Sequence, residues 1–283
     1  MDAELLRSHL GELDKKTSAE WYAGLSQRKI EELHFHNRDR DKKLTESLPK
    51  DTFEVLHGNK KYYSTVEKSS SYVENWLKTH VPGKTFLDYA CGNGMNAIRA
   101  ANFGAALAIG LDISDVSIKN ARAEAEKQNL TEKTYFIQGD CENTGLPSDS
   151  VDVILCSGML HHLDLNHAFP ELKRILKAGG KILCVEALDY NPVIKLYRSR
   201  TPSMRTEWEK NHILSLKDLR FAKNFFHVED VNYWHFTSVA AAFIKIESLK
   251  ETMLKLFNGI DSVLAKIPLV NLMAWQFTFV LRK

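Results

Sequence analysis

The chain has 283 residues, enough for one large α/β domain or for a domain with insertions. Its 44% of hydrophobic and 26% of charged residues form an ordinary globular composition, which excludes disordered, collagen-like and coiled-coil chains. The 38 Lys and Arg residues against 36 Asp and Glu leave a formal charge of +2, too balanced for a protein that binds nucleic acid by neutralising phosphates.

The cysteines carry no pattern of their own. Cys91, Cys141, Cys156 and Cys184 lack the spacing of a metal site or a disulfide framework, so we expect no bound metal. The first residues lack the basic and apolar segments of a signal peptide, and no apolar run approaches the ~20 residues that cross a bilayer. These features predict a cytoplasmic protein.

The first 50 residues are rich in charge of both signs, with apolar residues at helical spacing. We expect a helix around residues 19–37 and a polar connector over residues 38–50. Residues 1–50 are therefore interpreted as a helical extension, either a solvated one or a lid that closes over a site.

The next part of the chain alternates between helix and strand patterns. A helix is predicted over residues 66–77, and further helices over 96–103, 116–128 and 165–175. Short apolar runs predict strands at 85–89, 106–112, 134–138, 151–156 and 181–186. Such alternation is typical of βαβ units, which build a parallel sheet with helices on both faces.

The pattern changes after residue 189. Residues 190–225 contain Pro192, Pro202 and four arginines, and we expect them to form a substrate cap over the carboxyl edge of the sheet. Strands at 228–237 and 275–281 complete a Rossmann-like, seven-stranded, mostly parallel sheet within a domain of residues 51–283.

A helical insertion over residues 238–271 is predicted before the last strand. Its apolar residues recur every three or four positions, at Ile246, Leu249, Met253, Leu256, Ile260, Val263 and Ile267. We expect this stripe to pack on the sheet. Lysines flank it (Lys245, Lys250, Lys255 and Lys266), and they permit an alternative in which the helix meets a membrane surface or a lipid substrate.

A glycine-rich loop carries the chemistry. Residues 92–97 fit the pattern G-x-G-x-x-A between a predicted strand and a predicted helix, and Asp112 follows Gly92 by twenty positions. This arrangement predicts an adenosine-containing cofactor at the carboxyl ends of the strands, with Asp112 on its ribose.

The cofactor is either a dinucleotide or S-adenosylmethionine. Asp88, four residues before Gly92, would repel a pyrophosphate but would favour the positive sulfonium and amino groups of S-adenosylmethionine. No tyrosine is followed by lysine four positions later, as a short-chain dehydrogenase requires. Both observations favour S-adenosylmethionine.

Five segments in order resemble the motifs of class I S-adenosylmethionine-dependent methyltransferases, closest to the type 11 or UbiE-like small-molecule group. These segments are residues 87–94, 110–114, 139–154, 160–163 and 172–180. One departure is Ala178, where proline is usual before the glycine pair. The resemblance covers roughly residues 53–188.

The resemblance implies a set of cofactor contacts. Asp88, Ala90 and the backbone of Gly92, Asn93 and Gly94 would hold the methionine part, and Asp112 would hold the ribose. Ile113 would pack on the adenine, Asp140 would accept from its amino group beside Cys141, and Ser157 would face the cofactor from the end of the fourth strand.

The candidates for a catalytic base are His161, His162, His36 and His212. His161 and His162 follow the fourth strand, where a substrate would enter, and otherwise hydrogen-bond a turn. His36 lies one helical turn after Glu32, on the face of a candidate lid. In the cap, Arg200 and Arg205 suggest an anionic or carbonyl acceptor unless they are solvated, and Tyr197 is a further candidate substrate contact.

These features together predict an enzyme that transfers a methyl group from S-adenosylmethionine to the O, C or N atom of a small, hydrophobic molecule. Two alternatives remain open, a nicotinamide-dependent oxidoreductase and a non-catalytic protein that binds S-adenosylmethionine. We expect no nucleic-acid partner, and the sequence leaves the acceptor and the oligomeric state open.

Overall fold

The computed structural model describes residues 2–283 and contains thirteen α-helices in that part of the chain. They are α1 (Ala3–Leu13), α2 (Ser18–Ala23), α3 (Gln27–Arg40), α4 (Lys42–Ser47), α5 (Lys50–His57), α6 (Glu67–His80), α7 (Met95–Asn102), α8 (Asp115–Lys127), α9 (Leu165–Ile175), α10 (Pro192–Arg200), α11 (Glu207–Asn211), α12 (Leu216–Ala222) and α13 (Glu247–Leu264).

Seven strands form one sheet in the order β3-β2-β1-β4-β5-β7-β6. The strands are β1 (Thr85–Tyr89), β2 (Leu107–Asp112), β3 (Thr134–Gln138), β4 (Val151–Ser157), β5 (Leu176–Ala187), β6 (His227–Trp234) and β7 (Gln276–Arg282). Only β7 runs antiparallel to its neighbours, β5 and β6. The predicted fold class, a mostly parallel seven-stranded sheet, is confirmed.

The sheet is covered on both faces, which explains why its central strands are apolar along their whole length. Every residue of β1 and β2 is buried, as expected for parallel strands that lie between two layers of helices. Helices α6, α7 and α8 pack on one face, and helices α1, α9 and α12 pack on the other.

The N-terminal 50 residues do not form one unit. Leu6 and Leu10 of α1 are fully buried in the core of the sheet, whereas α3 lies at the end of the sheet where the cavity described below opens. The predicted helix over 19–37 is interrupted at Gly24, which ends α2. The polar connector expected over 38–50 is wrong, because α3 continues to Arg40 and α4 follows.

The region predicted as a cap, residues 190–225, includes part of the core. Helix α12 buries Ala222, and Phe221 and Phe225 pack around Phe169 of α9. The expectation of an insertion without core elements is therefore wrong for the end of this region. Its two prolines and four arginines drew attention away from the short apolar run near its end.

The apolar stripe of the C-terminal insertion does not pack on the sheet. Helix α13 buries Leu254, Asn258 and Asp261, while Leu256, Val263 and other stripe residues are exposed. The expectation of core packing is wrong, because helical periodicity shows that a stripe exists but not what covers it.

Within residues 2–283, no helix combines the length and the apolarity that a membrane span requires. The cytoplasmic location expected from the sequence stays a prediction.

Candidate functional site

A cavity opens where the strand order of the sheet reverses. Strand β1 is followed by β2 on one side and lies beside β4 on the other, so the loops after β1 and β4 diverge at this point. Ligands of open α/β sheets bind in the crevice that this divergence creates at the carboxyl ends of the strands.

The loop after β1 is shaped by left-handed backbone. Ala90, Gly92 and Gly94 have φ angles of 60°, 50° and 78°, a conformation that glycine adopts freely and that is uncommon for alanine. A Cβ on Gly94 would lie 2.6 Å from Phe136. The glycines thus allow the tight turn into α7.

Asp112, at the end of β2, fastens this loop. Its Oδ2 accepts a hydrogen bond from the Gly92 amide at 2.8 Å, and its Oδ1 accepts one from the Ser114 amide at 2.8 Å. The carboxylate lines the cavity and is otherwise buried. It therefore fixes the loop and also offers oxygen lone pairs to a ligand.

Asp88 does not reach the cavity. It is buried below the loop, where its Oδ2 accepts from the Ala97 amide at 3.3 Å inside α7. Burial raises the pKa of Asp88 to about 7, against the hydrogen bonds that favour its charged form. The side chain points into the strand–helix interface, and its expected contact with a sulfonium stays a prediction.

Seven of the expected cofactor residues line the cavity: Ala90, Gly92, Asp112, Ile113, Asp140, Cys141 and Ser157. Asp88, Asn93 and Gly94 do not belong to the lining. The side-chain oxygen of Asn93 accepts from Asn120 instead, and Gly94 serves as the N-cap of α7.

Helix α3 covers the far wall of the cavity. Lys29 Nζ lies 2.6 Å from Asp140 Oδ2 and 2.9 Å from Glu142 Oε2, while Arg28 pairs with Glu142 and donates to the His162 carbonyl at 2.9 Å. These contacts place the ammonium group of Lys29 against Asp140, the carboxylate expected to bind adenine. The sequence missed Arg28, Lys29 and Glu142.

A second, wider cleft of about 1420 Å³, mouth included, adjoins the first. Its lining is mixed. Apolar side chains (Phe35, Leu56, Val185, Met204 and Trp275) lie beside charged ones (Asp39, Arg40, Lys60, Glu186 and Glu209). Five residues line both spaces, namely His36, Arg40, Ser157, Gly158 and His162. The two spaces therefore share one wall, which faces the end of β4.

His162 sits in that shared wall and is oriented by Glu32. Its Nδ1 lies 3.0 Å from Glu32 Oε2, and His36 Nε2 lies 3.5 Å from the same oxygen. Burial raises the pKa of Glu32, but hydrogen bonds from His162, His36 and Thr206 outweigh it and hold the pKa well below its usual range.

Burial and the neighbouring His161 lower the pKa of His162, which Glu32 only partly offsets. A neutral imidazole whose Nδ1–H is held by a carboxylate keeps the Nε2 lone pair free to accept a proton. The sequence found both histidines, but the pairing of His162 with Glu32 joins residues 130 positions apart.

His161 is held differently. Its Nδ1 lies 2.6 Å from Glu186 Oε2, and its Nε2 lies 3.9 Å from Glu209 Oε1. Burial alone would lower the pKa of His161, yet the charge and hydrogen bond of Glu186 raise it. Because both nitrogens face carboxylates, this side chain is poorly placed to take up a proton from a ligand.

The remaining candidates lie outside both spaces. His212 stacks on Trp208 with ring centroids 3.7 Å apart. Arg205 is buried and donates to the Thr201 carbonyl at 2.7 Å, Tyr197 donates to the sulfur of Met204, and Arg200 is exposed. Arg200, Arg205 and Tyr197 line neither space in this structure, and their expected roles in binding substrate stay predictions.

Two groups bring potential metal ligands together, Glu32 with His36 and His162, and His161 with His162 and Glu209. The carboxylates already have protein partners, since Glu32 accepts from Thr206 at 2.5 Å and Glu209 pairs with Arg198 at 3.0 Å. Hydrogen bonding accounts for both groups, and we assign no metal to them.

Comparison with known protein families identifies the family of the segment that forms most of this site. The family model described as "Methyltransferase domain", of the type 11 group, matches residues 87–184, the segment from β1 to β5 that builds the cavity. This segment is a class I S-adenosylmethionine-dependent methyltransferase domain. The family resemblance and the S-adenosylmethionine cofactor expected from the sequence are thereby confirmed, and the nicotinamide alternative loses its support.

Relatives of the methyltransferase domain differ in their acceptors. A sterol 24-C-methyltransferase of Gibberella zeae is 30% identical over 123 residues, 42% of this chain and 32% of that protein. A ribosomal protein L11 methyltransferase of Photobacterium profundum is 33% identical over 115 residues, 40% of this chain and 37% of that protein. The chain thus matches about a third of the length of each relative.

Solved structures show the same fold. An S-adenosylmethionine-dependent methyltransferase from Mesorhizobium loti superposes with a TM-score of 0.53 at 18% identity, covering 77% of this chain and 99% of that one. The shared fold thus extends beyond the segment that sequence comparison matches.

Proposed function

We propose that the protein transfers a methyl group from S-adenosylmethionine to a small, hydrophobic acceptor, with His162 as the general base. The observation that carries this proposal is the wall shared by the two spaces, where Ser157, Gly158 and His162 line both. A cofactor in the first space and an acceptor in the second would meet at this wall, which in-line displacement requires.

The residues of the first space fit the cofactor. Asp112 and Asp140 offer carboxylate oxygens to hydroxyl and amino donors, and Ile113 and Leu163 offer apolar surface to a flat ring. When bound, S-adenosylmethionine supplies a methyl group activated by a positive sulfur. Lys29 must exchange its contact with Asp140 for that position to accept an adenine.

His162 would remove a proton from an O–H, N–H or acidic C–H acceptor. Glu32 holds its Nδ1 and so turns the Nε2 lone pair away from the carboxylate. Arg28 donates to the His162 carbonyl and fixes the backbone at the same point. The protein then contributes a positioned base and an enclosed wall, while the cofactor contributes the leaving group.

The second space supports a hydrophobic acceptor. Phe35, Leu56, Val185, Met204 and Trp275 present apolar surface in its walls, and an apolar ligand gains roughly 25 cal/mol per Å² of surface removed from water. The sterol acceptor named for the relative from Gibberella zeae is of this chemical kind.

The cofactor half of the proposal is tested by Asp112→Ala. We expect at least tenfold weaker binding of S-adenosylmethionine in calorimetry, since the change frees the Gly92 loop and removes an acceptor, each worth ~1.5–3 kcal/mol. Asp164→Ala is the control, because Asp164 caps α9 by the same kind of bond outside the cavity. Equal affinities of the two variants would refute the assignment.

The catalytic half is tested with methyl-labelled cofactor and a panel of phenols, hydroquinones and sterols. His162→Ala should lower kcat at least ~100-fold, whereas His167→Ala, an exposed histidine on α9, should not. Cofactor binding without methylation of any acceptor by the unaltered chain would favour the non-catalytic alternative instead.

The pH profile gives a second readout. Because the pKa of His162 lies below its ordinary value of 6.5, kcat/KM should fall only as the pH drops below 6.5. Glu32 stabilises the protonated form, so Glu32→Gln should move this limb to still lower pH. A limb above pH 6.5 would point to another base.

A further inference from the structure

Helix α13 presents its apolar stripe to solvent. Leu249, Leu256, Ile260 and Val263 lie on one face of the helix and are all exposed, with Val263 62% exposed, and Ile267 is exposed just after the helix ends. Single exposed apolar residues are ordinary, but a contiguous apolar stripe of this length marks an interaction surface. Within the helix, from Leu249 to Val263, the stripe is about 21 Å long, from the rise of 1.5 Å per residue.

The opposite, narrow face fastens the helix to the domain mainly by polar contacts. Asp261 accepts hydrogen bonds from the amides of Phe236 at 3.1 Å, Thr237 at 2.7 Å and Ser238 at 3.2 Å. Leu254 adds a buried apolar contact. The stripe is therefore held in place without taking part in the core.

Both ends of the helix extend the same surface. Phe243 and Ile246 are exposed just before it. After it, Leu269 is 78% exposed and has a φ angle of 68°. A leucine held in left-handed backbone is strained, and such strain is typical of functional segments. An exposed, strained leucine gains no packing energy within the chain that would compensate this cost.

We propose that this face, from Phe243 to Leu269, docks on the surface of a lipid bilayer that carries anionic headgroups. Basic residues flank the stripe, because Lys250 and Lys255 lie about 110° around the helix from its centre, one on each side, and Lys266 follows the end of the helix. The acidic residues Glu247 and Glu251 lie about 160° away. An interfacial helix has this arrangement, with lysines beside the apolar face.

The same charges disfavour a second copy of the chain as occupant. Pairing two such faces would bring lysine flanks together, and like charges across an interface cost affinity. At the Phe243 end, Lys61 Nζ lies 5.4 Å from the Phe243 ring centroid and adds another cation to the rim.

Docking would bring the bilayer to the mouth of the acceptor cleft. Phe243 contacts Tyr62 with ring centroids 5.7 Å apart, and Tyr62 lies 6.4 Å from Trp275, which lines that cleft. In this respect the inference rests on the proposed function, since a membrane-dissolved hydrophobic acceptor would enter from this side.

The test is flotation of the full chain with vesicles, without cofactor or acceptor. Vesicles of phosphatidylcholine with 30% phosphatidylglycerol should bind the chain at low salt, and Leu256→Glu should lower the partition coefficient at least tenfold. Leu5→Glu is the matched control. Leu5 is also an exposed leucine, but it lies on α1, which packs at the β3 edge of the sheet, away from α13.

Lys255→Gln combined with Lys266→Gln should reduce binding to the anionic vesicles and remove their advantage over pure phosphatidylcholine. Absence of vesicle binding at low salt would overturn the proposal, as would a dimer that Leu256→Glu dissociates, since a second copy would then cover the face. Cofactor calorimetry is independent of both results, so failure of docking is distinguishable from failure of the proposed function.

Discussion

The carboxyl of Asp88 is buried in the strand–helix interface, and this burial makes the stability of the fold depend on pH. Burial raises its pKa to about 7, whereas an unfolded aspartate titrates near 3.9. Between these values the folded chain keeps a proton that the unfolded chain releases. The stability contributed by this group is therefore complete below about pH 4 and is lost as the pH rises towards 7.

Asp88→Asn should remove that loss, because asparagine keeps an acceptor for the Ala97 amide and cannot ionise. We therefore compare the melting temperature of the variant with that of the unaltered chain at each pH. This difference should favour the variant more at pH 8 than at pH 5. Cofactor affinity should stay within about threefold. A large loss of cofactor affinity would instead support the direct contact of Asp88 with the sulfonium that the sequence predicts.

At the scale of residues, the sequence predicts the part of the site that is local along the chain. Gly92 and Asp112 are found from spacing within one βαβ unit, and both line the cavity. The partners of His162 and Asp140 are not found, because Glu32 and Lys29 come from a helix more than a hundred residues earlier. The pattern of α3 permits it to cover a site, but a local pattern does not show which strand ends or which residues it contacts.

Among the elements, the turn into α7 depends on Gly94 for space as well as for conformation. Gly94→Ala would place a Cβ 2.6 Å from Phe136 and 2.7 Å from Ala121. Gly104 also has a positive φ angle, yet a Cβ there meets nothing within 4 Å. In urea unfolding, Gly104→Ala should cost about 1 kcal/mol and Gly94→Ala about 1–3 kcal/mol more. If both variants lose the same free energy of unfolding, the turn at Gly94 adjusts to the added Cβ without strain.

Helix α3 is expected to move when the cofactor enters, since Lys29 occupies the carboxylate of Asp140. Lys29→Ala should increase hydrogen exchange of the amides in residues 27–40. The Lys29–Glu142 pair at 2.9 Å would remain when the adenine takes Asp140, so the variant should also speed cofactor dissociation about tenfold, the effect of one charged hydrogen bond. Lys42→Ala, which removes an exposed lysine from α4, is the control. If exchange of α3 is unchanged, other contacts hold the helix closed.

Elements were predicted best where a clear apolar pattern ends at turn residues. The bounds of β1, β3 and α9 agree with expectation, although only β1 is buried along its whole length. The surroundings of α13 were not predicted, because an amphipathic pattern is the same whether a sheet or an outside partner covers it. What separates the two cases is Asp261, whose amide partners fasten the helix by its polar side.

At the scale of the whole molecule, the layers are joined by segments distant in sequence. Helix α1 packs against β3 at one edge of the sheet, whereas α13 lies beside β6 at the other. The cavity and its covering helix α3 lie at the carboxyl ends of the strands between them. The interpretation of residues 1–50 as one separate extension therefore conflicts with the position of α1, whose leucines belong to the core.

Adjacent leucines of α1 test this arrangement. Leu6 is fully buried in the core, and Leu5 is 58% exposed. Leu6→Ala should lower the free energy of unfolding by about 2–4 kcal/mol, because it leaves a cavity beside the sheet, and Leu5→Ala should change it by less than about 0.5 kcal/mol. Urea unfolding of both variants measures the difference. Equal effects would mean that α1 separates from the methyltransferase domain, so that its packing contributes nothing to the stability of the fold.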